Sequence, residues 1–176
     1  MTGFDDYLAR LLNSRIFITN AETRRFEGPF STKSQVIKTN RFICVLQGSL
    51  FYQVADKEAD IKKGTIIYVP ATVHRVWRVA PQKSCTLIWN EFTTPAVETR
   101  WDKLVINDAI NLPLEKTSFQ RVLDLFESKK HSKTSRRLVI EGEIKAILGR
   151  FFSTLDFNQP HVAQGNLQPQ LGEKAS

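Results

Sequence analysis

Apolar positions along the chain change their period twice. In the opening "GFDDYLARLLNSR", Phe4, Tyr7, Leu8, Leu11 and Leu12 recur at spacings of three and four, which predicts a short amphipathic helix within residues 1–14. From Arg15 to Phe92 the texture becomes short runs of Val, Ile, Phe, Tyr and Thr cut by turn residues: "RIFIT", "SQVIKT", "FICVLQ", "SLFYQV", "TIIYV", "HRVWRV" and "CTLIWNEF". Seven short strands with this punctuation predict a small barrel or sandwich of antiparallel strands. Gly48 breaks one run, "ADKEA" fits a hairpin loop, and Gly64 in "KKGT" sits where a type II turn requires positive φ.

Past Phe92 the helical period returns. Phe119, Val122, Leu123 and Phe126 share one face, with Thr117 and Gln120 spaced as a capping box. A longer stripe, Ile140, Ile144, Ile147, Leu148, Phe151, Phe152 and Leu155, predicts a helix over 135–155. Gly149 within it costs roughly 1 kcal/mol of helix propensity unless a close helix approach compensates. From Asn158 onward the chain is rich in Gln, Pro and Gly without an apolar period, and reads as a linker. The predicted organisation is a helix or arm over 1–14, a β-barrel over 15–95, a helical segment over 96–157 and a linker over 158–176.

Composition narrows the classes. With 176 residues and 41% hydrophobic content, the chain supports one domain with a real core. No stretch approaches the roughly 18 consecutive apolar residues of a membrane span, and the N-terminus lacks the apolar run of a signal peptide, so a cytoplasmic protein without membrane partners is expected. Cys44 and Cys85 stand singly in apolar runs, as buried thiols do. The formal charge of +7 invites nucleic acid, but much of the excess lies in "KKHSKTSRR", which has no interleaved aromatics and reads as a solvated turn.

Candidate chemistry is sparse. The histidines are His74, His131 and His161, and the last two lie in a polar turn and the tail. A catalytic metal needs about three converging protein ligands, so no metal or cofactor is expected. There is no GxSxG elbow, P-loop or dinucleotide fingerprint, and nothing makes Glu91 and Glu98 converge as paired acids. What remains is binding. Strand alternation sends His74, Val76 and Arg78 to one side and Arg75, Trp77 and Val79 to the other.

The motifs "FICVLQGSLFYQV", "IKKGTIIYVPATVHRVW" and "CTLIWNEF" resemble the effector-sensing cupin domain of AraC-type bacterial transcription regulators. The resemblance implies a mainly β fold with α: a small cupin-like, jelly-roll barrel followed by two C-terminal helices. It points His74 inward with Val76 beside it and Trp77 outward, and it makes Trp89 a pocket aromatic. Tyr52 on a neighbouring strand completes the expected ligand site of His74, Trp89, Val76 and Tyr52. Where metal-dependent cupins carry a glutamate, this chain has Arg41, and "STKSQV" offers no histidine.

The stripe from Ile140 to Leu155 suits a cover for the barrel, the usual fate of an amphipathic helix. In that family the C-terminal helices carry a dimer contact, the reading favoured here, which would use Ile140, Ile144, Ile147, Leu148, Phe151 and Leu155. The function implied is a non-enzymatic, small-molecule-sensing homodimer. DNA would be bound only by a downstream helix-turn-helix part of a longer chain. The alternatives are a metal-free cupin enzyme, such as a sugar isomerase, and a purely structural dimerisation module.

Overall fold

The computed structural model describes residues 3–54, 57–71, 74–95, 105–107, 112–130 and 132–153. A first helix, α1 (Gly3–Asn13), precedes the strands β1 (Phe17–Glu27), β2 (Phe30–Ser31), β3 (Gln35–Val36), β4 (Asn40–Val54), β5 (Lys57–Lys62), β6 (Ile66–Val69), β7 (His74–Val79), β8 (Ser84–Thr93) and β9 (Val105–Asn107). Helices α2 (Leu112–Glu127) and α3 (Lys133–Ser153) follow. The fold is mainly β with α, a cupin-like half-barrel as the motifs imply.

Two antiparallel sheets share one strand. The first runs β1-β8-β4-β6-β9, and the second joins β2, β3, β7 and β5 to the far half of β4. The expected pair "FICVLQ" and "SLFYQV" is therefore a single bent strand. Residues 40–48 of β4 pair with β8 and residues 49–54 with β5. The corner is Gly48 at φ 72°, just past a register shift between Val45 and Gln47. A Cβ there would lie 1.8 Å from the Ser84 carbonyl oxygen, so the bend requires glycine for both its dihedral and its contact.

Gly64 has φ 94°, and the Thr65 amide donates to the Lys62 carbonyl at 3.1 Å, which makes the turn expected there. Strand β5 corrects the reading of "ADKEA" as a hairpin loop: Lys57, Glu58 and Ala59 belong to the strand. Its Lys, Glu and Asp are weak β formers, and only Ala59 and Ile61 turn inward.

Strand alternation splits the core into two layers. Phe42, Cys44, Ile66, Tyr68, Ile88 and Phe92 point from the first sheet toward the helices, while Ile43, Val45, Ile67, Leu87 and Trp89 point into the half-barrel. On the helical side the Phe42 ring lies 5.3 Å from Phe151, and Tyr68 lies 5.5 Å from Phe152. Helix α1 adds buried Tyr7 and Leu11 to this layer, with the Tyr7 and Tyr68 hydroxyls hydrogen-bonded to each other. Cys44 and Cys85 are free and buried, and burial pushes their thiols up to about 12 and about 11.

The helices correct two expectations. Helix α2 begins at Leu112, so Thr117 is interior and no capping box forms there; Gln120 instead donates its amide to Asp124 at 2.9 Å. Helix α3 starts before Ser135, whose amide is accepted by the Ser132 hydroxyl at 3.1 Å, an N-cap. Glu115, 1% exposed, fastens the two helices through the Arg150 guanidinium at 2.5 and 3.1 Å.

The stripe assigned to a partner is spent inside the chain. Ile140, Ile144, Ile147, Leu148 and Phe151 are each no more than 4% exposed and pack on the sheet with Phe119 and Val122 of α2. These five are not available as a dimer surface, because the outer face of the first sheet needs an apolar cover and α3 supplies it. Leu155 and the proposed 158–176 linker lie outside the described residues.

Gly142 and Gly149 sit on the opposite, exposed side of α3, where an added Cβ meets nothing within 4 Å. Among the described residues, no close helix approach compensates Gly149. Gly149→Ala is expected to stabilise the protein by about 1 kcal/mol, read as a higher urea midpoint with an unchanged slope. A lower midpoint would show that this face is covered.

Candidate functional site inside the half-barrel

The interior of the half-barrel has an aromatic end and a polar end. Phe26 from β1, Trp77 from β7 and Phe30 from β2 fill the first, with Phe26 and Trp77 meeting edge to face at 4.3 Å and Phe30 4.9 Å from each. Moving along β8 from Cys85 through Leu87 to Trp89 and Glu91, the inward positions turn from apolar to polar. The same progression runs along β7 from Val79 through Trp77 to Arg75.

The polar end collects Arg75, Tyr52, Trp89, Arg41 and Glu91. Arg75 is 3% exposed and Tyr52 1%; the Arg75 guanidinium and the Tyr52 hydroxyl approach each other, but neither makes a well-aligned hydrogen bond among the described residues. The Trp89 indole nitrogen and the Arg41 Nε are likewise buried and unpartnered. Arg41 is tied to Glu91 by an ion pair directly across β4 and β8, and its Cζ lies 5.6 Å from the Trp89 ring centroid. Trp89 turns its ring toward Phe26 at 6.2 Å in a stacked arrangement.

Arg41, Arg75 and Tyr52 lie close enough to act on one another electrostatically. Burial pushes the Arg41 guanidinium down to about 10, helped by the nearby Arg75 charge and opposed by Tyr52 and Glu22. Burial also lowers Arg75, against the charge and hydrogen-bonding pull of Tyr52, and raises Tyr52, against the charges of Arg75 and Arg41 and the approach of the Arg75 N–H groups. Two like charges approach in a low-dielectric interior, with a neutral phenol between their influences. Glu91 answers Arg41; Glu22 lies 3.9 Å from Arg24 at the partly exposed rim. Arg75 has no carboxylate partner among the described residues.

Two of the four expected ligand residues are inside: Tyr52 and Trp89. The other two are corrected. His74 is exposed, and Val76 shares its outer face, while Arg75, Trp77 and Val79 point inward. Pairing sets the choice: Trp77 lies opposite Tyr52 and Val76 opposite Gln53, and cross-strand partners share a face. With Leu50 and Tyr52 inward, a register placing His74 inside would expose Trp77 and Val79.

Arg75 is thus the functional candidate that sequence reading missed. The available signal was the apolar weight of the two alternating sets, since Trp77 and Val79 outweigh a single Val76 and carry Arg75 inward with them. Among the described residues, no three His, Cys, Asp or Glu side chains converge to hold a metal ion. His131 and His161 lie outside the described residues.

No family model matches this chain, and no curated protein does. Many solved structures are similar to it. An RmlC-like cupin family protein from Methanocaldococcus jannaschii is 12% identical with a TM-score of 0.38, over 40% of this chain and 66% of that one. The polyketide cyclase RemF from Streptomyces resistomycificus is 18% identical at 0.40, over 51% and 65% of the two chains. YhaK from Escherichia coli is 9% identical at 0.46, over 55% and 44%. The chain spans about half to two thirds of the length of the first structures it matches.

Proposed function

We propose that this chain is the ligand-sensing domain of an AraC-type transcription regulator, holding a small effector inside the half-barrel and doing no catalysis itself. The observation that carries the ligand site is the set of buried, unpartnered polar atoms on Arg75, Tyr52, Trp89 and Arg41. Buried polar groups in native proteins are nearly always hydrogen-bonded, so four such residues from the two sheets at the polar end of the half-barrel mark the place of a molecule that supplies the missing partners. An aromatic floor of Phe26 and Trp89 gives that molecule an apolar surface to lie on.

The regulator role rests on the motif resemblance. In this reading DNA is bound by another part of a longer protein, and the chain forms a homodimer. Any contact through α3 falls on its outer side, where Leu138 is 72% and Val139 38% exposed. A thermal-shift screen of small metabolites tests the ligand site. A ligand at 100 times its dissociation constant adds about 2.7 kcal/mol of stability, and Trp89→Leu should erase that gain. Hits that stabilise the Trp89→Leu and Tyr52→Phe variants as well as the parent would remove the barrel from the reading.

No helix among the described residues is long and apolar enough to cross a membrane.

A further inference from the structure

We infer that the ligand of this interior is an anion, a carboxylate or phosphate group received by the Arg75 guanidinium, an assignment that rests on the barrel being a ligand site. The unpartnered atoms are an unbalanced set. A guanidinium has only donors, an indole nitrogen has only a donor, and Arg41 Nε adds another N–H; the Tyr52 hydroxyl alone can also accept. Burial holds that phenol in its protonated, donating form. The wall therefore offers donors and asks for acceptors.

Charge points the same way. The interior charges facing this space are Arg75, Arg41 and Glu91, with Glu22 and Arg24 at its rim. Glu91 is engaged with Arg41, and Glu22 sits nearest Arg24, whose side chain is 61% exposed. One cation is left over, and it is the most buried of the three arginines.

A guanidinium stays charged in proteins, and a buried unpaired charge is far more costly than a buried neutral group. A neutral polyol brings as many donors as acceptors and leaves that charge uncompensated. A carboxylate or phosphate brings only strong acceptors and fits the planar fork of Arg75 with two parallel hydrogen bonds. The Tyr52 hydroxyl, the Trp89 N–H and Arg41 Nε supply further donors at the same end of the interior.

The test measures melting temperature at constant ionic strength as chloride is replaced by acetate or by inorganic phosphate, with glucose as the neutral control. The parent chain should gain Tm with a saturable dependence on at least one anion, and the larger shift identifies the head group. Arg75→Met should lose that shift and should itself melt several degrees above the unliganded parent, because it replaces an unpaired buried charge by an apolar chain of similar length. Arg75→Lys, a variant that keeps the charge, should bind the same anion about 10-fold more weakly.

The absence of any anion-dependent shift in the parent overturns the inference, as does a shift that survives in Arg75→Met. If glucose alone stabilises the parent, and Trp89→Leu abolishes that effect, the barrel remains a ligand site and only the anion assignment fails. Should neither anions nor glucose act while Arg75→Met lowers the melting temperature, Arg75 is a structural residue and the site falls with it.

Discussion

Ile144→Asp is expected to unfold this protein, not to release monomers. The side chain is fully buried between α3, α2 and the outer face of the first sheet, in the layer that also holds Phe42, Phe119 and Phe151. The substitution removes most of an isoleucine from a packed site and puts a carboxyl group among apolar side chains. The two effects together cost about 4–5 kcal/mol, a large part of the roughly 5–15 kcal/mol that holds a domain folded. Urea unfolding followed by circular dichroism should show a midpoint collapsed toward zero denaturant. A variant that keeps the parent midpoint and sediments as a folded monomer would return the stripe to an intermolecular interface.

Gly48→Ala is expected to cost on the order of 3 kcal/mol, combining a left-handed backbone dihedral with a backbone collision. At φ 72° the new Cβ would press on the Ser84 carbonyl oxygen, and a carbonyl held in the β4–β8 ladder cannot swing away as a side-chain tip would. Relief requires β4 to straighten at the point where it passes from one sheet to the other. That movement would carry Leu50 and Tyr52 away from Trp89, so the variant should also lose its response to ligand. The same substitution at Gly149, where nothing opposes the Cβ, is expected to have the opposite sign. Equal unfolding midpoints for Gly48→Ala and the parent would show that the corner is not held by this glycine.

The contrast between those two glycines shows what patterning can convey. Gly48 and Gly64 were legible as breakers because each interrupts a β-branched run, and both have positive φ. Gly149 fell within a helical period and said nothing of what lay beside it. The strands richest in Val, Ile and aromatic residues, β6, β7 and β8, were legible in place and type. Strand β5 and the outer half of β1, "AETRRFE", were not, because charged residues fill most of their positions and leave two apolar side chains each. Pairing with β4 and β8 makes them strands despite weak intrinsic preference.

The site was half legible for a related reason. Trp89 and Tyr52 were aimed inward by the motif resemblance, since their strands are apolar on both faces and alternation alone leaves the choice open. "HRVWRV" carries a basic residue on either face and differs only by two apolar residues against one, a small local bias that the pairing across the ladder turns into a fixed orientation. Pairing of Trp77 with Tyr52 is long-range information that no local window holds. The helix stripe posed a similar question. Its breadth was plain, but whether the partner was the sheet or a second chain depended on the outward row of Phe42, Cys44, Ile66, Tyr68 and Phe92. Those residues sit in strands that alternate so fully apolar on both faces that they had to be covered on both.

The central claim is that Arg75 faces a ligand inside the barrel. Its most direct test follows the arginine Nε–H resonances of the ¹⁵N-labelled chain during a titration with the anion that raises the melting temperature. The Arg75 signal, identified by its loss in Arg75→Met, should move or sharpen with saturable dependence on the anion, and the Trp89 indole signal should move with the same midpoint. An Arg75 resonance that stays fixed while signals elsewhere on the chain respond would contradict the account.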